Sequence, residues 1–296
     1  MIVQLALIAL LFAAGWWLRR RELMSAAHVA FVLKFVINIA VPPLIVAALL
    51  RAPLDRNLLL PPLAVMLGMS GVLIAAWWFT RRWRLARPRA GAFIISAGCI
   101  NLAFVYPLIG AIRGTEAITQ WVIIDIGATL MTWIVIAYVA ASFGGHPGEW
   151  RRALGRVLGM APFWAIIMGL AVRFSGIHVP AEWTGVLQAV GRWLMLLVVP
   201  AMGALAVGLR RLNTALLTVL ALRVVLGALL AVLLVRWLGI GPQYQALVIL
   251  AGGAPIGFSA VAISQRESLD AEFAAGATAI SILLALIYLP VALLLL

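Results

Sequence analysis

Two apolar stretches of the sequence each carry a proline together with small or polar residues that could hold a ligand. These residues are Asn101, Tyr106 and Pro107 in the first stretch and Gly253, Pro255 and Ser259 in the second. Proline breaks a helix, and backbone groups freed at membrane depth are tolerated only where they line protein or a wet cavity. Where two broken helices cross, their amino-terminal ends suit an anion. The pair of stretches predicts one central anion site, and two simple proline kinks are the alternative.

Three ionisable side chains lie inside apolar runs: Lys34, Asp125 and Arg223. Such a group costs about 2.5–3.5 kcal/mol near the middle of a membrane helix and is seldom present without a use. Arg223 could supply positive charge to an anion, or pair with a helix carbonyl or with Asp125. Asp125 is the candidate for proton coupling. Lys34, one turn before Asn38 on the same helix face, either serves the substrate or snorkels to the membrane surface.

Other kinds of chemistry find little support in the residue pattern. His28, His146 and His178 are far apart and lack a carboxylate or second histidine at ligand spacing, so we expect no metal site. Neither a Gly-x-Ser-x-Gly elbow nor a phosphate-binding loop occurs, and the single cysteine, Cys99, allows no internal disulfide. We therefore expect neither a cofactor nor an enzymatic activity.

The composition is that of an integral membrane protein. Hydrophobic residues make up 66% of the 296 residues and charged residues 10%, against about 25% charged in soluble domains. At about 20 apolar residues per span, the chain has room for about ten spans. The candidate spans lie near 2–18, 27–50, 58–80, 91–112, 117–142, 157–175, 184–208, 212–236, 243–265 and 271–295.

The basic residues are distributed as in a membrane protein, so the net charge of +13 does not indicate a nucleic-acid partner. Fourteen arginines lie in the odd-numbered loops and six in the even-numbered loops. The positive-inside rule then places the odd loops in the cytoplasm and both termini in the periplasm. The run at 2–18 is followed by Arg19, Arg20 and Arg21, and we interpret it as a span, not as a signal peptide.

The chain also divides near its midpoint. A polar stretch at 142–156 separates two groups of five spans, which gives a first half at 1–145, a cytoplasmic linker at 146–156 and a second half at 157–296. Pro42 and Pro200 lie 158 residues apart, and Pro107 and Pro255 lie 148 apart. Five spans per half make the second half inverted relative to the first, as in many secondary transporters. The predicted fold is all-α, with ten transmembrane helices in two inverted five-helix repeats and two broken helices crossing at mid-membrane.

Four segments, 33–42, 101–117, 198–209 and 250–269, resemble the auxin efflux carrier family in their order and spacing. The resemblance implies a fold related to the bile acid/sodium symporters, with a scaffold part and a mobile transport part. It further implies that Pro107 and Pro255 mark the crossing point and that Asn101 and Ser259 lie beside the substrate.

Other consequences of the resemblance concern the second span and the coupling ion. Lys34 and Asn38 would lie on a span that faces the substrate. The sequence departs from the family where Asn101 precedes Pro107 by six residues instead of seven, and where Ser259 replaces an asparagine. The glutamate and glutamine cluster of sodium-coupled relatives is missing around Gln265. We therefore expect proton coupling or uniport before sodium coupling.

Together these observations predict a secondary transporter in a bacterial cytoplasmic membrane that exports small organic anions, such as carboxylates, by alternating access. Its expected partners are the anion and membrane lipid, and the oligomeric state stays open, with a homodimer as one option. An ion-coupled importer of an amphipathic organic acid is the alternative. An intramembrane enzyme or a structural membrane subunit is a third interpretation.

Overall fold

The structure is a computed structural model that describes residues 2–51, 59–144, 155, 158–177, 179–205 and 213–295. The first part of the chain contains the helices α1 (Ile2–Arg20), α2 (Ala26–Phe35), α3 (Val41–Arg51), α4 (Leu60–Arg82), α5 (Arg87–Gly98), α6 (Leu102–Ile112), α7 (Gly114–Leu130) and α8 (Ala137–Phe143). The second part contains α9 (Ala161–Phe174), α10 (Ala181–Met195), α11 (Val198–Leu205), α12 (Thr214–Leu220), α13 (Gly227–Trp237), α14 (Pro242–Gly252), α15 (Ser259–Arg266) and α16 (Ala271–Leu295).

The predicted all-α membrane architecture is confirmed at this level. Five helices among the described residues are long and apolar enough to cross a membrane, and shorter apolar helices accompany them. The five are Ala27–Arg51, Leu60–Arg82, Glu116–Phe143, Thr214–Trp237 and Ala271–Leu295. Each coincides with a predicted span. The full count of ten spans stays a prediction.

Three of the long helices contain a π-helical turn that the apolar pattern did not reveal. The turns are Val36–Ala40 between α2 and α3, Met131–Ile136 between α7 and α8, and Ala221–Leu226 between α12 and α13. Such turns interrupt the regular hydrogen-bond ladder and are often found at functional sites. The second turn lies in the helix of Asp125, while Asn38 and Arg223 lie on the other two.

The fourth and ninth predicted spans are each broken into two helices. The first break separates α5 from α6 at 99–101, and the second separates α14 from α15 at 253–258. Placing the first break at Pro107 was wrong, because Pro107 lies inside α6. Asn101 starts the new helix instead, since its side chain accepts a hydrogen bond from the Phe104 N–H and asparagine is a strong N-cap residue. Pro255 lies within the second break, as predicted.

The order of packed helices recurs along the chain. Helix α1 packs along α11, and α9 packs along α3. In each pair, a helix from the first span of one half contacts a helix from the second span of the other half. Helices α4 and α12 begin 154 residues apart, at Leu60 and Thr214, and α7 and α16 begin 157 apart, at Gly114 and Ala271. The inverted orientation of the halves and their boundaries at 145 and 157 stay predictions. The linker at 146–156 falls outside the described residues, except at position 155.

Glycine allows the closest of these helix contacts. A Cβ atom on Gly203 of α11 would lie 2.0 Å from the Phe12 carbonyl oxygen, and one on Gly15 of α1 would lie 1.9 Å from the Pro200 carbonyl oxygen. The two backbones therefore touch directly, which is how small residues permit membrane helices to associate.

Two of the fourteen arginines counted in the odd-numbered loops, Arg87 and Arg89, lie at the start of α5. Arg87 donates a hydrogen bond from Nη2 to the Ser142 carbonyl oxygen at 2.6 Å. Arg89 pairs with Asp270 at 2.6 Å. The start of α5 thus lies against the end of α8 and the start of α16. The orientation of this end in the membrane stays a prediction.

Candidate functional site

The two helix breaks lie against each other and hydrogen-bond through their backbones. The Asn101 N–H donates to the Pro255 carbonyl at 2.8 Å, and the Gly257 N–H donates to the Cys99 carbonyl at 3.0 Å. Between these bonds, Ile100 faces a second isoleucine, Ile256, in an antiparallel bridge. We call residues 99–101 and 253–258 the crossover. The pairing satisfies backbone groups that the two breaks would otherwise leave without partners.

Asn101 joins the crossover to the helix α11. Its side chain is 1% exposed. The Oδ1 atom accepts a hydrogen bond from the Phe104 N–H at 3.2 Å, and Nδ2 lies 3.3 Å from the Met202 Sδ atom. Because a thioether is a weak acceptor, this amide N–H makes only a weak hydrogen bond.

Ser259 occupies the equivalent place at the second break. It is the first residue of α15, and no side chain caps this helix start at Phe258. Ser259 is buried. The first N–H groups of a helix have no partner within that helix. Both half-helices α6 and α15 thus begin at the crossover, with Asn101 and Ser259 beside their first turns.

Arg223 lies behind the crossover and is 1% exposed. Its Nη1 atom donates to the Ala97 carbonyl oxygen at 3.3 Å, and its Nη2 atom donates to the Gly252 carbonyl oxygen. These carbonyls belong to the last turns of α5 and α14, the two half-helices that end at the crossover. Of the two structural partners considered for Arg223, a helix carbonyl is therefore the one present, and Asp125 is not.

The space beside Arg223 is small. A cavity of about 10 Å³ is lined in part by Arg223, Gly227 and Gly252, which is room for one water molecule at most. The Arg223 Nε atom has no hydrogen-bond partner among the described residues. In this conformation a small organic anion does not fit beside the guanidinium group.

Asp125 is held by two hydroxyl groups. The Tyr106 hydroxyl donates to Asp125 Oδ2 at 3.2 Å, and the Thr129 hydroxyl donates to Oδ1 at 3.4 Å. Tyr106 and Pro107 follow Asn101 within α6, and the Tyr106 side chain is 2% exposed. Tyr106 thus contacts Asp125, and neither side chain hydrogen-bonds the crossover among the described residues.

Lys34 and Asn38 are not brought to the crossover by any contact that the structure describes. Lys34 is exposed, as expected if it snorkels to the membrane surface. Asn38 donates from Nδ2 to the Lys34 carbonyl oxygen at 2.8 Å. Because Asn38 lies on a π-helical turn, its amide satisfies backbone that the turn leaves exposed.

Two polar side chains on α16 complete the crossover, and the sequence interpretation missed both. The Tyr288 hydroxyl donates to the Gly253 carbonyl at 2.6 Å. The Ser281 hydroxyl accepts from the Ile256 N–H at 3.0 Å. The two residues lie seven apart in an apolar run, which is two helical turns and therefore one face. The spacing of these two polar residues in an apolar run could have indicated from the sequence that they face the same site.

A metal site finds no support in the described part of the chain. No three histidine, cysteine, aspartate or glutamate residues there lie close enough to hold a metal ion. His28 is exposed and caps the start of α2 with Ser25. His146 and His178 lie outside the described residues.

The fold and this interior junction define an integral membrane protein with two broken helices that meet inside the helical core. A family described as membrane transport protein matches residues 1–146, which include α1 to α8 and the first half of the crossover. A protein of Methanothermobacter thermautotrophicus named "Uncharacterized transporter" is similar to this chain.

The two proteins are 27% identical over 175 residues, which covers 57% of this chain and 56% of the archaeal protein. The matched segment spans little more than half of that relative's length. These similarities and the apolar helices indicate a membrane transporter.

Proposed function

We propose that the protein is a secondary transporter that exports small organic anions, such as carboxylates, and binds them at the crossover. The observation that carries the proposal is the meeting of the α6 and α15 amino-terminal ends beside Asn101 and Ser259. Each helix start carries roughly half a positive elementary charge. Two such ends at one junction favour a carboxylate there.

The Asn101 amide supplies a polar contact that a substrate could take over. Its Nδ2 atom faces only the Met202 thioether, a weak acceptor. A hydrogen bond to a charged acceptor is roughly twice as strong as a bond between neutral groups. A carboxylate that replaced Met202 would therefore gain a stronger bond while the Asn101 cap on α6 stayed in place.

The same contact suggests which parts move. Met202 belongs to α11, which packs with α1 and α2. Asn101 lies at the break between the half-helices α5 and α6. During alternating access the contact between Asn101 and Met202 would break, and the site would open first to one side of the membrane and then to the other. A weak contact at this interface is suited to repeated breaking.

Binding can be tested on purified protein by thermal unfolding with malonate and with malonamide, its uncharged analogue of similar shape. A ligand at about 100 times its Kd stabilises the folded state by about 2.7 kcal/mol. We expect malonate, or another carboxylate of a panel with acetate, succinate and indole-3-acetate, to raise the Tm, while its neutral amide does not. An equal rise with the amide, or no rise with any carboxylate, would contradict the proposal.

A further inference from the structure

Arg223 is the buried charge whose surroundings fit a function beyond substrate binding. It lies on the π-helical turn Ala221–Leu226, and its guanidinium group reaches both half-helices that end at the crossover. One hydrogen bond goes to the Ala97 carbonyl and one to the Gly252 carbonyl. A single side chain thus donates hydrogen bonds to the carboxyl ends of two helices that are distant in sequence.

The charges of these groups balance. Each helix carboxyl end carries roughly half a negative elementary charge, which is concentrated on its last carbonyls. Two such ends together offset about one positive charge, which is the charge of the guanidinium group. Within the described residues, no carboxylate is paired with Arg223 in addition to these carbonyls.

Carbonyls at the carboxyl ends of half-helices have a recurring use in secondary transporters, where they coordinate the coupling cation. We propose that Arg223 is a tethered cation that fills this position permanently. This inference rests on the proposed transport function. Because the guanidinium group is covalently attached to the chain, it is not exchanged with solvent, so the transport cycle requires no sodium ion at these helix ends.

The local packing shows why the position takes a planar guanidinium group. A Cβ atom on Gly227 would lie 2.5 Å from the Arg223 Nη2 atom and 2.2 Å from the Gly252 carbonyl oxygen. Because Gly227 has no side chain, the space through which the Arg223 Nη2 atom reaches the Gly252 carbonyl of α14 stays open. A guanidinium group presents several donors in a fixed plane, whereas a lysine ammonium is a point charge. Lysine would keep the charge but fit the two carbonyls less well.

The test removes the tethered cation and offers a free one, with no carboxylate substrate present. Arg223→Ala is heated in choline chloride, in sodium chloride, and in choline chloride with millimolar guanidinium, far below denaturing concentrations. We expect a lower Tm than that of wild type in choline, and a rise when guanidinium or sodium is added. Wild type should respond to neither cation. Arg236→Ala is the control, because Arg236 is an exposed arginine on the adjoining helix α13.

A second pair of variants decides the question if Arg223→Ala does not fold. Arg223→Lys keeps the charge, and Arg223→Met keeps the length without the charge. The expected order of Tm is wild type, then the lysine variant, then the methionine variant. A methionine variant as stable as the lysine variant, a wild type stabilised by sodium, or an alanine variant indifferent to both cations would overturn the inference. None of these outcomes bears on carboxylate binding, which the malonate experiment tests separately.

Discussion

Asn101 combines two tasks in one side chain. Its carbonyl oxygen caps α6, and its amide nitrogen faces Met202 of α11. The cap fixes the amide, so the nitrogen is held in place before any ligand arrives. Such preorganisation reduces the entropy lost on binding. Because the Asn101 cap starts α6 and Pro107 lies inside that helix, the position of Asn101 at the helix start does not depend on its spacing to Pro107.

At Asp125, the two hydroxyl contacts allow a direct test of proton coupling. Asparagine at this position can still accept the Tyr106 hydroxyl bond, but it cannot exchange a proton. If Asp125 couples protons, Asp125→Asn in proteoliposomes keeps substrate flux down its own gradient and loses the acceleration by an imposed pH gradient. Glu116→Gln is the control, since Glu116 is an exposed carboxylate on the same helix. A response to the pH gradient that survives in Asp125→Asn would exclude this role.

The sequence predicted which residues are unusual better than it predicted their partners. Arg223, Asp125 and Asn101 are conspicuous because charged and amide groups are costly in apolar spans. The partners of Arg223 could not be predicted, because Ala97 and Gly252 are distant in sequence and meet the guanidinium group only when three helices pack. Their contribution is also a backbone carbonyl, which every residue type has.

Among the helices, α1 and α11 bring their backbones into direct contact at two glycines. Gly15 and Gly203 lie on opposite sides of it, each against the backbone of the other helix. Dispersion contacts between such surfaces replace the hydrophobic effect, which does not drive helices together within lipid. Even a small increase in side-chain size at Gly15 or Gly203 is therefore expected to destabilise the protein.

Gly203→Ala tests that contact. The new Cβ atom would lie 2.0 Å from the Phe12 carbonyl oxygen, so the helices must separate, and we expect a destabilisation of about 1–3 kcal/mol, as for other overpacked sites. Gly185→Ala is the matched control, because nothing lies within 4 Å of a Cβ atom there. Alanine should stabilise that helix by up to about 1 kcal/mol. Apparent Tm values in detergent measure both changes, and equal effects at the two sites would refute the packing argument.

The length of the apolar runs predicted the long helices well but not their interruptions. The runs at 58–80 and 271–295 match α4 and α16 closely, because burial in lipid requires continuous apolar sequence. The break at 99–101 and the three π-helical turns leave no apolar gap. The break depends on hydrogen bonds such as that from the Asn101 N–H to the Pro255 carbonyl, which join distant parts of the chain.

Considered as a whole, the molecule places opposite charges of helix ends on two sides of one junction. The starts of α6 and α15 offer positive ends to an anion, and the ends of α5 and α14 offer negative ends that Arg223 neutralises. In the proposed function the anion site and the arginine are therefore separate, and the prediction that Arg223 binds substrate directly stays untested. In this proposal the positive ends that face the anion are the starts of α6 and α15, and Arg223 balances the negative ends of α5 and α14.

The most direct test of the account is the flux of labelled malonate, or of the best carboxylate from the thermal panel, through proteoliposomes with Asn101→Ala or Asn213→Ala. Both asparagines cap a helix, since Asn213 accepts a bond from the Leu216 N–H at 2.9 Å, so each variant loses a comparable 0.5–2 kcal/mol or so of stability. Asn213 is exposed and only Asn101 lies at the crossover. We predict at least a roughly tenfold loss of flux, equivalent to about 1.4 kcal/mol of binding energy, in Asn101→Ala alone. Equal flux in the two variants would contradict the crossover as the transport site.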